Sequence, residues 1–331
     1  MALPDFLLIG APKAGTTALH VALSRHPDLF LSAIKEPKFF LTDEEPPVAR
    51  GGPGDARTIR EQIWRRRDYE ALFDGAPAHA KKGESTTLYL RDWKAHRRIH
   101  RLIPQAKLVA VLRDPVERAH SNWTHLRSAG LEPESDFVTA CHLEAERKAK
   151  GWAPFWYYLE QGRYGDHLEH LLSVFPKEQV LVLLYRDYRE HPIETVDTVC
   201  RFLGVAEGLV TDVPTENLTV ASSPSVANNV LRRVIRLADD ADRRLPFGVG
   251  SLVKAPAAAL LQREQRTRSP LTTHQRRELL PKFEADIRRL ESLTDRSFSH
   301  WLDLHNGVDR PALETEGRFG TAFRSIDRPS T

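Results

Sequence analysis

Three runs of nearly continuous apolar residues alternate with segments of helical periodicity along the first two thirds of the chain. The runs are Asp5–Gly10, Lys107–Leu112 and Gln179–Tyr185, and the helical segments after them are Thr16–Ser24, Val116–Leu126 and Ile193–Leu203. Strands that are apolar at almost every position are typical of parallel sheets covered on both faces. A shorter run, Ala80–Glu84, predicts a fourth strand. The pattern therefore indicates an α/β fold, a parallel β-sheet flanked by helices.

Two regions interrupt this alternation. Pro46–Asp55 is rich in proline and glycine and predicts a surface loop. From about Ser222 the pattern becomes helical, with predicted helices at Ser225–Asp242 and Thr272–Leu293, and apolar periodicity is lost from about Asn306. We expect a single domain over residues 1–305, with a helical C-terminal extension from about residue 222. Residues 306–331 are expected to form a loosely ordered C-terminal tail.

Composition narrows the classes of partner. The 331 residues carry 48 basic and 45 acidic side chains, a net charge of +3 that is too balanced for bulk nucleic-acid binding. The two cysteines, Cys141 and Cys200, provide neither a disulfide framework nor a metal-ligand cluster. The N-terminus lacks the basic segment of a secretory signal, and no apolar stretch is long enough for a transmembrane segment. We therefore expect a cytoplasmic protein.

The stretch LLIGAPKAGTTAL, Leu7–Leu19, joins the first predicted strand to the first predicted helix. Unpaired N–H groups and the helix dipole make such a junction a ready anion site. In a Walker A loop the lysine follows the second glycine, whereas here Lys13 precedes Gly15 and Thr16 stands at the lysine position. The loop alone leaves three readings open: an altered triphosphate loop, a turn with an exposed lysine, or a site for a different phosphate ligand.

The segment PKAGTT, Pro12–Thr17, resembles the 5'-phosphosulfate loop of sulfotransferases that use 3'-phosphoadenosine 5'-phosphosulfate (PAPS), which has a P-K-x-G-T-T type pattern after the first strand. The resemblance implies a P-loop-like fold and PAPS as co-substrate. It also implies that Lys13 is catalytic, by stabilising charge on the oxygen between sulfur and phosphate. The residues implied to bind the 5'-phosphosulfate are Lys13, Ala14, Gly15, Thr16 and Thr17.

A second match is RDPVERAHSNW, Arg113–Trp123, which follows the second strong strand. In the PAPS-dependent family an arginine at this strand end and a serine on the next helix hold the 3'-phosphate, and Arg113 and Ser121 match those positions. A guanidinium fork and a hydroxyl suit a phosphate dianion. Read without the first loop, Arg113-Asp114-Pro115 is a strand-to-helix turn with proline at the first helical position.

A third match is KEPKFF, Lys35–Phe40, which resembles the K-E-x-x-F-F segment of heparan sulfate and related carbohydrate sulfotransferases. The resemblance implies that Glu36 is the catalytic general base, and some relatives carry histidine at the position of Lys38. One departure concerns GESTT, residues 83–87. Relatives that act on sulfated glycans often have lysine where this chain has Ser85, which implies an acceptor less anionic than a glycosaminoglycan.

Two longer blocks, Gly162–Gly204 and Phe283–Leu302, extend the resemblance to residues 5–302 with gaps. In family members a basic residue of the C-terminal part also closes over the nucleotide. Spacing does not choose among the candidates Arg232, Arg233, Arg263 and Arg266.

The implied reaction transfers a sulfuryl group from PAPS to an acceptor hydroxyl on a carbohydrate, glycolipid or small natural product, with no metal ion, and an amine acceptor stays open as the second choice. The sequence names no acceptor and no oligomeric state. Two alternatives stay open. One is a nucleotide-triphosphate-dependent kinase with an altered P-loop, which would need a triphosphate clamp and a magnesium carboxylate. The other is a non-catalytic nucleotide-binding protein.

Overall fold

The computed structural model describes residues 3–53, 62–213 and 270–307, and its centre is a sheet of five parallel strands. The strands are β1 (Phe6–Gly10), β2 (Leu29–Leu31), β3 (Lys81–Ser85), β4 (Lys107–Leu112) and β5 (Val180–Leu184). They lie side by side in the order β2-β3-β1-β4-β5. The predicted parallel α/β sheet is confirmed. Four strands begin and end within two residues of their predicted bounds, whereas the three-residue edge strand β2 has no signal long enough to predict.

Helices connect and cover the strands. The α-helices of the described residues are α1 (Thr16–Leu23), α2 (Arg66–Glu70), α3 (Trp93–Leu102), α4 (Pro115–Ser128), α5 (Phe137–His142), α6 (Glu144–Ala149), α7 (Tyr164–Leu172), α8 (Tyr185–Glu190), α9 (Pro192–Leu203), α10 (Thr273–Leu279) and α11 (Glu284–Thr294). Short 3-10 turns lie at Phe39–Leu41, Ala71–Phe73, Tyr89–Arg91, Pro154–Trp156, Glu160–Gly162, Lys177–Gln179, Leu280–Lys282 and Ser299–Leu302. None of the helices within the described ranges is long and apolar enough to span a membrane.

The strand β1 is the centre of the core. All five of its residues are buried, because β3 and β4 flank it and helices cover both faces. Strand order reverses around β1, and the loops that leave β1, β2, β3 and β4 emerge together at the carboxyl edge of this parallel sheet. The segment Lys35–Phe40 is the loop that leaves β2. Ligands of open α/β sheets bind at such a switch point. The fold thus brings the three matched segments of the sequence to one edge.

The C-terminal helical region differs from its prediction in one place. The predicted helix Thr272–Leu293 is divided into α10 and α11 by a 3-10 turn that contains Pro281, because proline cannot donate the helical hydrogen bond and its ring clashes with the preceding turn. The start of α10 is a capping box, in which Thr272 and Gln275 satisfy each other's backbone N–H groups. The predicted helix Ser225–Asp242 lies outside the described residues.

Candidate functional site

The loop between β1 and α1 is shaped for an anion. Gly15 caps α1 with a left-handed backbone (φ +84°), and no side chain of the described residues caps the helix, so its first-turn N–H groups point out of the loop. The Ala11 N–H donates to the Val111 carbonyl at 2.8 Å, which ties the loop to β4. A Cβ on Gly15 would lie 2.9 Å from the Tyr185 ring. Glycine is therefore required both by conformation and by space.

Lys13, which the sequence predicts to be catalytic, also has a left-handed backbone (φ 67°). Its carbonyl oxygen accepts a hydrogen bond of 3.3 Å from Nη1 of Arg113. The two segments predicted to bind opposite ends of the donor are therefore in direct contact. Of the threonines that follow, Thr16 is buried and Thr17 is exposed, although both were predicted to contribute to the same loop.

The guanidinium of Arg113 is held on two further sides. Its Nε and Nη2 donate to the Glu117 carboxylate at 3.3 and 3.1 Å, and its Cζ lies 4.8 Å from the centre of the Tyr185 ring. Glu117 and Ser121 are four residues apart on α4 and therefore lie on one helix face. The predicted partners Arg113 and Ser121 thus flank the same side of α4, where Ser121 is partly exposed.

His125 joins this face, and sequence reasoning did not select it. It lies four residues after Ser121, and both burial and the nearby positive charge of Lys13 lower its pKa to about 4. The imidazole is therefore neutral at neutral pH, although the His125 side chain is exposed to solvent. The signal that could have found it is the i, i+4 spacing of Glu117, Ser121 and His125 along α4.

Glu36, the predicted base, is anchored at the carboxyl end of β3. Its carboxylate accepts hydrogen bonds from the Thr87 N–H at 3.1 Å and the Thr87 hydroxyl at 2.9 Å, and Lys35 Nζ lies 3.1 Å away. The side chain is 26% exposed, so a substrate can still reach it. The Thr87 carbonyl lies 3.1 Å from the position of a Cβ on Gly10, at the start of the anion loop. Glu36 therefore stands beside the end of β1.

Ser85 stands where the resemblance implied a lysine in glycan-directed relatives. Its hydroxyl is buried and lies 2.8 Å from Nδ1 of His20 on α1. Burial, followed by the positive charge of Lys35, lowers the pKa of His20 to about 4, and Glu36 opposes that effect. The Ser85 side chain is thus turned into the protein and contributes a neutral contact to the floor of the site.

The aromatic side chains near the site serve mainly in packing. Phe39 stacks on Tyr69 with ring centres 4.2 Å apart, and both rings are buried. Trp123 donates its indole N–H to the Glu134 carbonyl at 3.2 Å and lies against Phe137. Lys38 is buried, with its ammonium 5.7 Å from the centre of the Phe155 ring.

The family model described as the sulfotransferase domain matches residues 3–229, which is more than half of the chain. This chain belongs to the sulfotransferase family. It is 31% identical over 210 residues to the bifunctional heparan sulfate N-deacetylase/N-sulfotransferase 3 of Homo sapiens, and 30% identical over 220 residues to the corresponding Drosophila melanogaster protein. Each match covers 61% of this chain but only 22% and 20% of the relative, so the chain spans about a fifth of those proteins.

A solved structure covers more of the sulfotransferase fold. The crystal structure of a sulfotransferase from Alicyclobacillus acidocaldarius matches with a TM-score of 0.70 and 28% identity, over 92% of this chain and all of that one. The similarity agrees with the five-stranded parallel sheet and its helices. The four C-terminal arginines that the resemblance raised as nucleotide-closing candidates, Arg232, Arg233, Arg263 and Arg266, lie outside the described residues.

Proposed function

We propose that this chain transfers a sulfuryl group from PAPS, the donor used by the family, to an acceptor hydroxyl and releases 3',5'-adenosine bisphosphate. The observation that carries the proposal is the hydrogen bond from Arg113 to the Lys13 carbonyl. That contact joins two anion-binding elements from neighbouring strands into one surface. A donor with phosphate at both its 3' and 5' positions fits such a surface better than a single phosphate does.

The donor-binding roles follow from the positive charge of the side chains and from the direction of the backbone N–H groups at the start of α1. We assign the 5'-phosphosulfate to the first-turn N–H groups of α1 and to Lys13, Ala14, Gly15, Thr16 and Thr17. Arg113 and Ser121 are assigned to the 3'-phosphate. The Arg113 guanidinium is already oriented by Glu117 and Tyr185, so little side-chain entropy is lost when it binds a phosphate. The left-handed Gly15 and the N-terminus of α1, which no side chain of the described residues caps, fit an anion in the loop.

The proposed chemical step is an in-line displacement. As the acceptor oxygen bonds to sulfur, the bond between sulfur and the 5'-phosphate oxygen breaks, and the electron pair leaves with the bisphosphate. Glu36 takes the acceptor proton, for which its partly exposed carboxylate is placed. Lys13 and the loop N–H groups stabilise the charge that develops on the leaving oxygen. His125, kept neutral beside Lys13, adds no competing positive charge at neutral pH.

For the acceptor we propose a carbohydrate, glycolipid or small natural product rather than a polyanionic glycan. A cleft of about 350 Å³ lies beside Leu41, at the end of the segment that carries Glu36. Four basic residues line it, Arg50, Arg91, Lys94 and Arg98. Arg91 and Arg98 pair with Glu160 and Asp43, and Asp92 stands in the wall, so much of the positive charge is offset. The neutral Ser85 supports the same conclusion.

An amine acceptor is the second candidate. It is favoured by the relatives, whose names describe N-sulfotransferases of heparan sulfate. Glu36 would take the proton that a neutral amine loses as its nitrogen bonds to sulfur, the same role as with a hydroxyl. An acceptor that arrives as an ammonium must first lose one proton to solvent. The test compares sulfate transfer to two polysaccharides that differ only in whether their amino groups are free or acetylated. Transfer only to the polysaccharide with free amino groups would favour the amine acceptor.

Donor identity is tested by thermal unfolding with 3',5'-adenosine bisphosphate or with ATP and magnesium. We expect stabilisation by the bisphosphate and not by ATP. Stabilisation by ATP alone would contradict the sulfotransferase proposal and favour a kinase with an altered P-loop. Binding of the bisphosphate without transfer to any acceptor would instead favour a non-catalytic nucleotide-binding protein.

A further inference from the structure

Glu84, the penultimate residue of β3, is a fully buried carboxyl to which the donor site and the base assign no role. It accepts hydrogen bonds from the Tyr69 hydroxyl at 3.3 Å and the Thr86 hydroxyl at 3.0 Å. Within residues 3–53, 62–213 and 270–307, no lysine, arginine or histidine forms an ion pair with it. A buried carboxyl with only hydroxyl partners is unfavourable when ionised, so the presence of Glu84 in the core calls for a structural explanation.

The segment Lys35–Phe40, which carries Glu36, docks on the residues that flank Glu84. Alternate backbone N–H groups of the segment donate to this wall: Glu36 to the Ser85 carbonyl at 2.8 Å, Lys38 to the Thr86 hydroxyl at 3.2 Å and Phe40 to the Tyr89 hydroxyl at 3.2 Å. The Thr86 hydroxyl therefore serves twice, since it also donates to Glu84. This hydroxyl links the buried carboxyl to the backbone two residues after the base.

The docked segment has a backbone that needs such support. Glu36 and Lys38 adopt left-handed conformations, with φ of 62° and 63°. Side chains other than glycine adopt these angles infrequently, and they persist where surrounding contacts determine them. Because the position of the Glu36 carboxylate depends on these angles, loss of the docking contacts would move the base even if the rest of the fold were intact.

The protonation state of Glu84 suits this role. Its pKa is raised to about 8, chiefly by burial and in smaller part by the nearby negative charge of Glu36, while the Thr86, Tyr89 and Tyr69 hydroxyls oppose the shift. At neutral pH Glu84 is therefore a neutral acid that can both donate and accept hydrogen bonds. Two neighbouring carboxyl groups thus have different tasks, with Glu84 as a neutral hydrogen-bonding acid in the core.

We propose that Glu84 is a positioning residue, which holds Glu36 in place through the Thr86 hydroxyl and the backbone of Lys35–Phe40. The inference rests on the proposed function in so far as Glu36 is the base. The docking of the segment is a property of the chain whether or not sulfate is transferred.

The test compares Glu84→Ala with the conservative variant Glu84→Gln. For Glu84→Ala we expect kcat to fall by about 10²-fold, the size produced when a reacting group is displaced by about 1 Å. The affinity for 3',5'-adenosine bisphosphate should stay within about twofold, because the donor loop and Arg113 do not contact Glu84. Glu84→Gln, neutral and of the same shape, should recover at least about tenfold in kcat over Glu84→Ala.

Amide hydrogen exchange gives a readout that does not depend on activity. We expect exchange in Lys35–Phe40 to accelerate in Glu84→Ala and to return towards the wild-type rate in Glu84→Gln. Thr86→Val keeps the carboxyl and removes the hydroxyl that links it to the segment, so it should show the same faster exchange and lower kcat. This variant decides the question if Glu84→Ala does not fold.

Three results would overturn the inference. The first is a near-native kcat in Glu84→Ala or Thr86→Val, and the second is unchanged amide exchange of Lys35–Phe40 in these variants. The third is a parallel loss of kcat and bisphosphate affinity in Glu84→Ala that Glu84→Gln does not recover. If the wild-type chain transfers no sulfate, the proposed function fails instead. The exchange measurement still decides whether Glu84 holds the segment.

Discussion

Arg276, on the C-terminal helix α10, donates two hydrogen bonds to the Asp114 carboxylate, at 3.0 and 2.7 Å, and both side chains are buried. Asp114 also accepts the N–H groups of Val116 and Glu117 and so caps α4. The residue before Asp114 is Arg113. The C-terminal region is thereby tied to the turn that presents the proposed 3'-phosphate ligand.

Removal of either partner of the buried Arg276–Asp114 ion pair should destabilise the folded protein. We expect Arg276→Met to lower the free energy of unfolding by about 3–5 kcal/mol, because it leaves the Asp114 carboxylate buried without its cation. Urea unfolding at neutral pH measures the change. Arg288→Met is the matched control: it removes an exposed pair with Glu291 and should cost no more than about 1 kcal/mol. Equal effects in the two variants would show that the buried pair does not anchor the C-terminal region.

Lys13→Ala should abolish transfer and weaken donor binding, since the only full positive charge of the anion loop is removed. Titration of 3',5'-adenosine bisphosphate by calorimetry gives the affinity, and an assay with PAPS gives the turnover. Lys150→Ala is the control, because Lys150 is exposed and pairs with Glu146 one helical turn away. Undiminished turnover in Lys13→Ala would remove this lysine from the mechanism.

Arg113→Met should weaken the bisphosphate by about 1.5–3 kcal/mol, the range for hydrogen bonds to charged groups. Its effect on adenosine 5'-phosphate should be small, because that ligand lacks the 3'-phosphate assigned to Arg113. The ratio of the two affinities separates a 3'-phosphate ligand from a general positive charge. Arg186→Met, at an exposed arginine paired with Glu190, should leave both affinities unchanged. Equal losses for both nucleotides in Arg113→Met would refute the assignment.

Glu36→Gln should lower kcat by about 10²-fold or more while donor affinity is retained, since the amide cannot accept the acceptor proton. The amide oxygen can still accept from Thr87, so the segment should remain docked. A near-native rate would require another base, and His125 would then be the first to examine, because its imidazole is kept neutral in part by the nearby charge of Lys13.

Stability should fall as the pH is lowered from 6.5 towards 4. Burial lowers the pKa values of His20, His96 and His167 to about 4, 3 and 4. Below pH 6.5 the unfolded chain binds protons that the folded chain does not, so each histidine contributes a slope of up to about 1.4 kcal/mol per pH unit. Glu84, whose folded pKa is about 8, acts in the opposite direction, since its contribution is lost as pH rises from 4.5. Three histidines outweigh this one carboxyl.

Denaturant unfolding at pH 6.5 and pH 5 measures that slope. His96→Gln should make it shallower by up to about 1.4 kcal/mol per pH unit, since one buried imidazole no longer titrates. His79→Gln, at an exposed imidazole, is the control and should leave the slope unchanged. A wild-type chain equally stable at both pH values would contradict the burial of these imidazoles.

The sequence predicted the features that local pattern and charge control. Apolar runs placed β1, β4 and β5, and the lysine before Gly15 distinguished the loop from a Walker A loop. It could not predict contacts that only the folded chain makes. The hydrogen bond between Arg113 and Lys13 joins residues that are 100 positions apart in the sequence. The one between Arg276 and Asp114 joins residues that are 162 positions apart. Glu84 was visible only as part of GESTT, because its burial and its hydroxyl partners come from α2 and the turn after β3.

Mass spectrometry of the reaction products tests sulfuryl transfer most directly. The protein is incubated with PAPS and with either a cell extract or polysaccharides whose amino groups are free or acetylated. We expect an acceptor that is heavier by one SO₃ group, formed together with 3',5'-adenosine bisphosphate and absent with Lys13→Ala. Bisphosphate binding with no acceptor gaining SO₃ would contradict the proposed reaction.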